Sequence, residues 1–404
     1  MTVQSAIAVS FVMPCLDEAQ ALPVCIAAIR DAEAAIAAAY GLSCEIVVAD
    51  NGSTDGSQGV ARSLGARVVT VADKGYGAAL QGGFRAARGR YLVMGDADGS
   101  YDFREATAMI GALIEGADLC MGSRFKGGIK PGAMPWKNRY IGNPVLTGIL
   151  NLLFKVQVSD AHCGLRALTK ACFERLHLTG PGMEFASEMV IKAALRGETM
   201  AERPATLSPD LRGRPPHLRP WRDGWRHLRY LFMLSPAWLF ALPGAVASGA
   251  GLFILGSSAI HFLVARRVPF FFGNYWDVFA SALVAVGQIA LILALASHLQ
   301  GVREGYRKAP GWFEWLARWI TLESMILTGA GLAGLGAADL IAVFVAWNRH
   351  LLTRADSVLS VVVGTLLLSL GAQTGLGGFL LAIIGGNAAR FIPPPEESPA
   401  PDHG

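Results

Sequence analysis

YLVMGDADGSYDF, residues 91–103, is the stretch on which the fold turns. Its first four residues, Tyr91–Met94, are apolar and have the length of a short buried strand. The run stops at Gly95, and Asp96 and Asp98 follow one residue apart. In an open α/β sheet, ligands bind beyond the carboxyl ends of the strands. Two carboxylates there are placed to hold a hard divalent cation through oxygen, with substrate phosphates completing its shell. Asp and Gly are also ordinary turn residues, so the pair by itself leaves a metal site and a polar turn both open.

The flanking sequence supplies a sheet for this strand. Residues 7–13 form an apolar run closed by Pro14, residues 45–49 (EIVVA) a second, residues 68–71 a third and residues 118–121 a fifth. Between them, residues 22–40 are Ala-rich with helical periodicity, DKGYGAALQGGFRAARG gives a glycine turn and a helix, and residues 106–115 give another helix. Strands alternating with helices predict an α/β, doubly wound, mainly parallel sheet with helices on both faces. Three polar strand ends, residues 14–18, 50–55 and 96–100, then converge on one rim. Gly75-x-Gly77 suggests a dinucleotide turn, but Leu80 stands where a third Gly or Ala belongs and the strand is the third. The plainer reading is a glycine turn whose helix N-terminus helps hold phosphate.

Composition divides the chain. Only 16% of its 404 residues are charged, against about 25% in average soluble domains, and the deficit lies beyond about residue 230. Apolar runs at 237–262, 278–299, 325–347 and 358–385 are long enough to span a bilayer, and all but the third are free of charged residues. The fourth contains GAQTGLGG, residues 371–378, and admits a tilted span or a broken one. Asp339 falls inside the third run, a functional candidate by default. The loop 300–321 carries Arg303, Arg307, Lys308 and Arg318, and the stretch 212–230 mixes Arg, His and Trp, so both sort to the cytoplasmic side. A net charge of +4 is too small to argue for a nucleic-acid partner. The six cysteines show neither C-x-x-C nor zinc spacing and read as buried reduced thiols of a cytosolic domain. The first apolar run lacks a basic n-region and reads as a strand. The expected organisation is a catalytic domain over 1–211, a basic interfacial linker over 212–235, and a transmembrane domain over 236–390. Within the last lies an interfacial helix near 311–320, and a disordered Pro-rich tail covers 391–404.

VMPCLDEA, EIVVADNGSTDGS, GDADGSYDF and GSRF occur in this order. Together they resemble the family 2 glycosyltransferases of the GT-A fold, in particular polyprenyl-phosphate sugar synthases such as dolichyl-phosphate mannose and glucose synthases. The resemblance covers residues 7 to about 234. It implies that Pro14, Leu16, Glu18 and Asp50 border the nucleotide, with Asn51, Ser53 and Lys74 beside them. Asp96 and Asp98 become the pair that binds Mg²⁺ or Mn²⁺, and Ser100 stands where some members use Gln as a further ligand. Arg124, and Arg139 with Asn143, map to the residues that hold the lipid phosphate. VSDAHCGLRA matches the family's Asp-x-x-x-Gly-Phe/Leu-Arg segment through Asp160 and Arg166, and Arg212 or Arg214 reaches the donor diphosphate. Asp98, Asp160 and Arg124 are the implied catalytic residues.

Read without the family, residues 124–143 are a basic, Gly- and Pro-rich connection: a surface loop, or an acceptor loop whose arginines grip phosphate. Glu184 and Glu188 lie on one helix face, where solvation or charge at a helix N-terminus accounts for them and a supporting role near the acceptor is the alternative. His162 has no His/Cys cluster around it. The expected function is metal-dependent, inverting transfer of one hexose from a UDP- or GDP-sugar to a polyprenyl phosphate. The site would be cytoplasmic, on a bacterial-type inner membrane, with self-association through the spans left open. Two alternatives stand. A processive polysaccharide synthase would carry Gln-x-x-Arg-Trp, yet Trp315 precedes Arg318-Trp319. A non-catalytic scaffold or lipid translocator would have no need of the aspartate pair.

Overall fold

The structure, a computed structural model, describes residues 7–212, 220–265, 272–309, 319–349 and 358–387, with positions 311, 315, 389 and 391. It divides into two compact units, residues 1–234 and 235–404. Arg214, most of the expected interfacial helix at 311–320 and nearly all of the tail lie outside the described residues.

In the first unit the strands are β1 (Val9–Cys15), β2 (Cys44–Asp50), β3 (Arg67–Thr70), β4 (Tyr91–Met94), β5 (Leu119–Ser123), β6 (Arg166–Thr169) and β7 (Met200–Pro204). The helices are α1 (Leu22–Tyr40), α2 (Ser57–Ser63), α3 (Tyr76–Ala86), α4 (Ala106–Ile114), α5 (Arg124–Gly127), α6 (Asn143–Phe154), α7 (Lys170–Leu176), α8 (Phe185–Arg196) and α9 (Pro220–Met233). The seven strands are ordered β3-β2-β1-β4-β6-β5-β7. The sheet is parallel except at β6, which runs antiparallel to both β4 and β5. Alternation along β1 sends Phe11 and Met13 into one core with Ile26 and Ile29 of α1 and Ile110 of α4. Val12 points the other way, against Gly83 of α3, on the face where Phe84 meets Phe173 and Phe185 edge-on or tilted. Helices therefore cover both faces, and the carboxyl ends of β1, β2 and β4 share one rim.

The first strand extends past Pro14 to Cys15. Its ladder with β4 ends at Val12, so a residue with no N–H to give stands where that neighbour has stopped. Strands β6 and β7 were not expected from the sequence. Arg166 opens β6 between Met94 and Met121 and is fully buried. Among the described residues its guanidinium has no carboxylate partner, and it donates instead to the carbonyls of Cys163 (2.8 Å), Ala186 (2.6 Å) and Ala161 (2.9 Å). It thus ties the segment 161–166 to α8. All six cysteines are free thiols, and burial pushes Cys25, Cys120, Cys163 and Cys172 up to about 12.

The second unit contains four helices long and apolar enough to cross a membrane: Ala237–Leu263, Asn274–Arg303, Leu322–Asn348 and Leu359–Ile384. The fourth is continuous through Gly371 and Gly378. Its glycines are contact points. A Cβ placed on Gly371 would lie 2.5 Å from the carbonyl oxygen of Gly329 in the third helix, and one on Gly336 would lie 2.5 Å from that of Gly364. Small residues of this kind let helix backbones approach closely in lipid. Asp339 packs toward the same seam, its Oδ2 2.8 Å from where a Gly364 Cβ would stand.

Candidate active site

Three strand-end loops build the rim. After β1, Asp17 adopts a left-handed backbone (φ 56°) and its Oδ1 accepts from Thr54 N–H at 2.7 Å. In return Ser53 Oγ accepts from Asp17 N–H and Ser57 Oγ from Glu18 N–H, both at 2.9 Å. After β2, the buried Asp50 carboxylate accepts from Gly52 N–H (3.1 Å), Ser53 N–H (3.2 Å) and Gln58 Nε2 (2.7 Å), shaping the turn. Asn51 staples that turn to the loop after β3, donating to Val71 and Asp73 carbonyls and accepting from Gly75 N–H at 2.8 Å. Lys74 Nζ donates to Asn51 O at 2.6 Å. Leu16 is 38% exposed beside Pro14.

The third loop carries the aspartates. Gly99 (φ 78°) turns the chain, and Asp98 Oδ1 accepts from Ser100 N–H at 2.9 Å. The segment following β7 folds back over this turn: Ser208 N–H donates to Ser100 O (2.8 Å) and Leu211 N–H to Asp98 O (2.9 Å). It delivers Arg212, whose guanidinium bonds Asp98 Oδ2 and stands 3.4 Å from Glu18 Oε1. Glu18, Leu211 and Arg212 also line a cavity of about 400 Å³.

The electrostatics of the pair are strained. Burial, and then the charge of Asp98, pushes Asp96 up to about 7, against the pull of the Tyr76 hydroxyl, Arg212 and Arg124. A guanidinium already sits among Glu18, Asp96 and Asp98, so the charge the site calls for is positive. No cluster of three or more His, Cys, Asp and Glu occurs among the described residues. Two carboxylates completed by donor phosphates is the coordination style of Mg²⁺, and the residues present fit such an ion once Arg212 swings aside.

Arg124, at the end of β5, is 8% exposed. Its Nε and Nη2 donate to the two oxygens of the fully buried Asp160 at 2.6 and 2.7 Å. Burial would raise the Asp160 carboxyl, but the bonds and charge of Arg124 hold it below the usual range. Two of the three implied catalytic residues are thus one ion pair. Arg139 lies apart from it, half-buried and stacked over Tyr140 (5.4 Å), and Asn143 Nδ2 donates to Met134 Sδ at 3.4 Å.

Several contributors were hidden in the sequence. The Tyr76 hydroxyl bonds Asp96, inside the Gly-Tyr-Gly stretch read as a turn. Gly75 and Gly77 serve close packing: a Cβ on either would meet the carbonyl oxygens of Pro181 or Gly180 at 2.2 Å, and Ala78 N–H donates to Pro181 O. At the amino end of α3, Ala78 N–H is thus taken by that loop and Gly75 N–H by Asn51. Gly164 lets the segment 160–166 approach the pair, since a Cβ there would stand 2.8 Å from Asp96 Oδ2. Of the two readings of Glu188, solvation fails, since it is fully buried and pairs with Lys192 at 2.7 Å, while its place in the first turn of α8 agrees with a helix N-terminal charge. His162 is half-buried. Ser187 Oγ lies 3.4 Å from its Nε2 and 2.8 Å from His227 Nδ1, and burial with the nearby His227 pushes His162 down to about 3.

Comparison with known proteins gives the family of the chain. Residues 10–176 match glycosyl transferase family 2, and residues 294–385 match the glycosyltransferase family 2 C-terminal transmembrane region. The chain is 34% identical over 388 residues to the low-salt glycan biosynthesis hexosyltransferase Agl6 of Haloferax volcanii, covering 93% of this chain and 89% of that one. The chain belongs to glycosyltransferase family 2. This glycosyltransferase is also 29% identical over 158 residues to a dolichyl-phosphate hexose transferase of Haloferax volcanii (39% and 68% of the two chains). Over 176 residues it is 30% identical to the polyprenol monophosphomannose synthase of Mycolicibacterium smegmatis (40% and 66%). It is a multi-pass membrane enzyme.

Two outcomes follow from the geometry of the transferase. Gly164→Ala drives a methyl group into the Asp96 carboxylate. Hexosyl transfer is expected to fall about a hundredfold, the usual cost of an ångström-scale misplacement, while the unfolding temperature of the detergent-solubilised chain moves little. Arg124→Ala leaves Asp160 buried and unpaired, an expected loss of about 3–5 kcal/mol seen as a lowered unfolding temperature. The double variant Arg124→Met, Asp160→Leu is expected to regain most of that stability and stay at least about tenfold down in transfer, having lost a cation that faces Asp96. Full recovery of transfer would make the pair purely architectural.

Proposed function

We propose that this enzyme transfers one hexose from a nucleotide diphosphate sugar to a polyprenyl phosphate, on the cytoplasmic face of the membrane. The observation that carries the reading is the strand-end pair Asp96 and Asp98, beside a mobile-length cationic side chain, Arg212, in a chain with four membrane helices. The dolichyl-phosphate and polyprenol-phosphate relatives support the same acceptor class.

The chain's own groups account for most of the chemistry. The β1 and β2 turns, cross-linked through Asp17, Ser53 and Ser57, give the nucleotide a rigid seat. Arg212, released from Asp98 when the donor arrives, is placed to follow the diphosphate as negative charge builds on it. A divalent cation held by Asp96 and Asp98 would offset charge on the leaving group. A phosphate oxygen of the acceptor forms the new bond to the anomeric carbon as the bond to the diphosphate breaks, so the configuration inverts. The phosphate monoester is largely dianionic at neutral pH, with a second pKa of about 6, and needs no strong general base. Positioning and electrostatics then supply the rate.

The test is a screen of labelled nucleotide sugars against membranes holding the full chain, with an isoprenyl phosphate and with or without Mg²⁺ or Mn²⁺, followed by lipid extraction. One sugar is expected to enter the lipid fraction, and Asp98→Asn should lower that by at least about a hundredfold. Undiminished transfer by Asp98→Asn in the presence of chelator would falsify the metal reading. Orientation is checked separately. The loop containing Arg303, Arg307 and Lys308 sorts inward by its charge. A membrane-impermeant maleimide should therefore miss Gly305→Cys and label Asn274→Cys in intact cells, and the reverse pattern would sink the topology.

A further inference from the structure

Three polar side chains link three elements of the first unit. His162 lies in the segment between Asp160 and Arg166, Ser187 in the first turn of α8, and His227 on α9. Ser187 is fully buried and His227 nearly so. The Ser187 Oγ stands 2.8 Å from His227 Nδ1 and 3.4 Å from His162 Nε2. The two rings meet edge to face, with centroids 5.0 Å apart. The Nδ1 of His162 is buried with no hydrogen-bond partner among the described residues. A neutral imidazole has one donor and one acceptor, and a buried donor is left unpaired more rarely than a buried acceptor. The lone pair is therefore assigned to Nδ1 of His162. Its Nε2–H then donates to Ser187 Oγ, and the Ser187 hydroxyl donates to His227 Nδ1.

One end of this relay is the ion pair. His162 N–H donates to Asp160 Oδ1 at 3.3 Å, and the same carboxylate holds Arg124 through its backbone N–H (3.1 Å), Nε and Nη2. The rest of the segment is tied to the domain core. Ala161 N–H donates to Thr147 Oγ1 at 3.4 Å and Gly164 N–H to the Tyr101 hydroxyl at 2.9 Å, while Arg166 takes the carbonyls of Ala161 and Cys163. The other end is α9, which closes at Met233, shortly before the first membrane helix begins at Ala237. On α9, His227 and Leu231 are packed inward, whereas Trp225 and Met233 are exposed. The ring of His162 is thus where the position of α9 reaches the backbone that carries Asp160. Two rings packed edge to face need no hydroxyl between them, and burying one is costly unless it is hydrogen-bonded.

We propose that His227 is a positioning residue of the transfer reaction: through Ser187 it fixes the ring of His162, and with it the backbone at Asp160 and the orientation of Arg124. Placement of the ion pair then depends on the seat of α9, the helix by which the catalytic unit runs on into its membrane helices. The rate readout below rests on the acceptor class given under Proposed function, and the exchange readout does not.

The experiment uses the full chain in lipid nanodiscs and its His227→Phe, His227→Asn and Ser187→Ala variants. His227→Phe keeps a ring and removes the acceptor, whereas His227→Asn puts an amide oxygen near the place of Nδ1. Steady-state hexose transfer to a short-chain isoprenyl phosphate gives kcat and donor KM. Amide hydrogen exchange, read by mass spectrometry, compares residues 160–166 with residues 22–40 of α1. His227→Phe and Ser187→Ala are each expected to lower kcat about tenfold, short of the roughly hundredfold cost of an ångström-scale misplacement, with donor KM within about twofold. Exchange should quicken at 160–166 and stay unchanged in α1. His227→Asn is expected to recover most of both losses. Combining His227→Phe with Ser187→Ala should cost little more than the worse of the two, since both break one relay. Undiminished kcat in His227→Phe, or no recovery in His227→Asn, means that packing is all His227 supplies and overturns the proposal. Quickened exchange in α1 as well, or losses that multiply in the combined variant, overturn it too. If His227→Phe does not fold, Ser187→Ala, which removes one oxygen, carries the same comparison. An unaltered chain that transfers no hexose to isoprenyl phosphate refutes the proposed function, and exchange at 160–166 in the variants then decides the positioning role by itself.

Discussion

Two carboxylates one residue apart, on a turn partly withdrawn from water, repel each other by an amount of order a few kcal/mol in a site of intermediate dielectric. Most of the rim answers that repulsion. Arg212 arrives from the segment after β7, Arg124 stands at the end of β5, and the Tyr76 hydroxyl comes from the start of α3. These residues are remote in sequence and meet because the sheet brings their elements to one edge. Compensation is incomplete, and Asp96 still rises to about 7. The site calls for positive charge, and the guanidinium of Arg212, paired with Asp98 and Glu18, supplies part of it.

Buried arginines do the structural part of this work in two different ways. Arg124 is neutralised by Asp160, and the charge of each is what makes the other tolerable inside the protein. Arg166 has only backbone carbonyls for company, three of them, and so fixes a loop with no ion pair at all. The spacing of the segment from Asp160 to Arg166 becomes intelligible: its first residue anchors Arg124, Gly164 leaves room for Asp96, and its last residue clamps the loop onto α8.

Much of this was legible in the sequence where one residue type carries one physical demand. The apolar runs gave five strands, and the helix over Leu22–Tyr40 has the bounds its periodicity suggests. The long apolar runs gave all four membrane helices found among the described residues. What stayed hidden depended on pairing at a distance. Strands β6 and β7 are four and five residues long and carry Arg, Glu and Pro, which mask any apolar pattern. Arg124 looked available because its partner lies 36 positions on. An acidic residue four places before a lysine describes a solvated helix face and the buried Glu188–Lys192 pair equally well. Tyr76 was concealed by the glycines on either side of it.

The glycine seam between the third and fourth membrane helices has a consequence for transport. With Gly329 against Gly371 and Gly336 against Gly364, main chain touches main chain at two levels about two turns apart. Contacts this close are of the Cα–H to carbonyl type and leave no width for solvent. A sugar polymer therefore finds no conduit between these two helices. The hairpin is a keel, stiff and closed along its own seam.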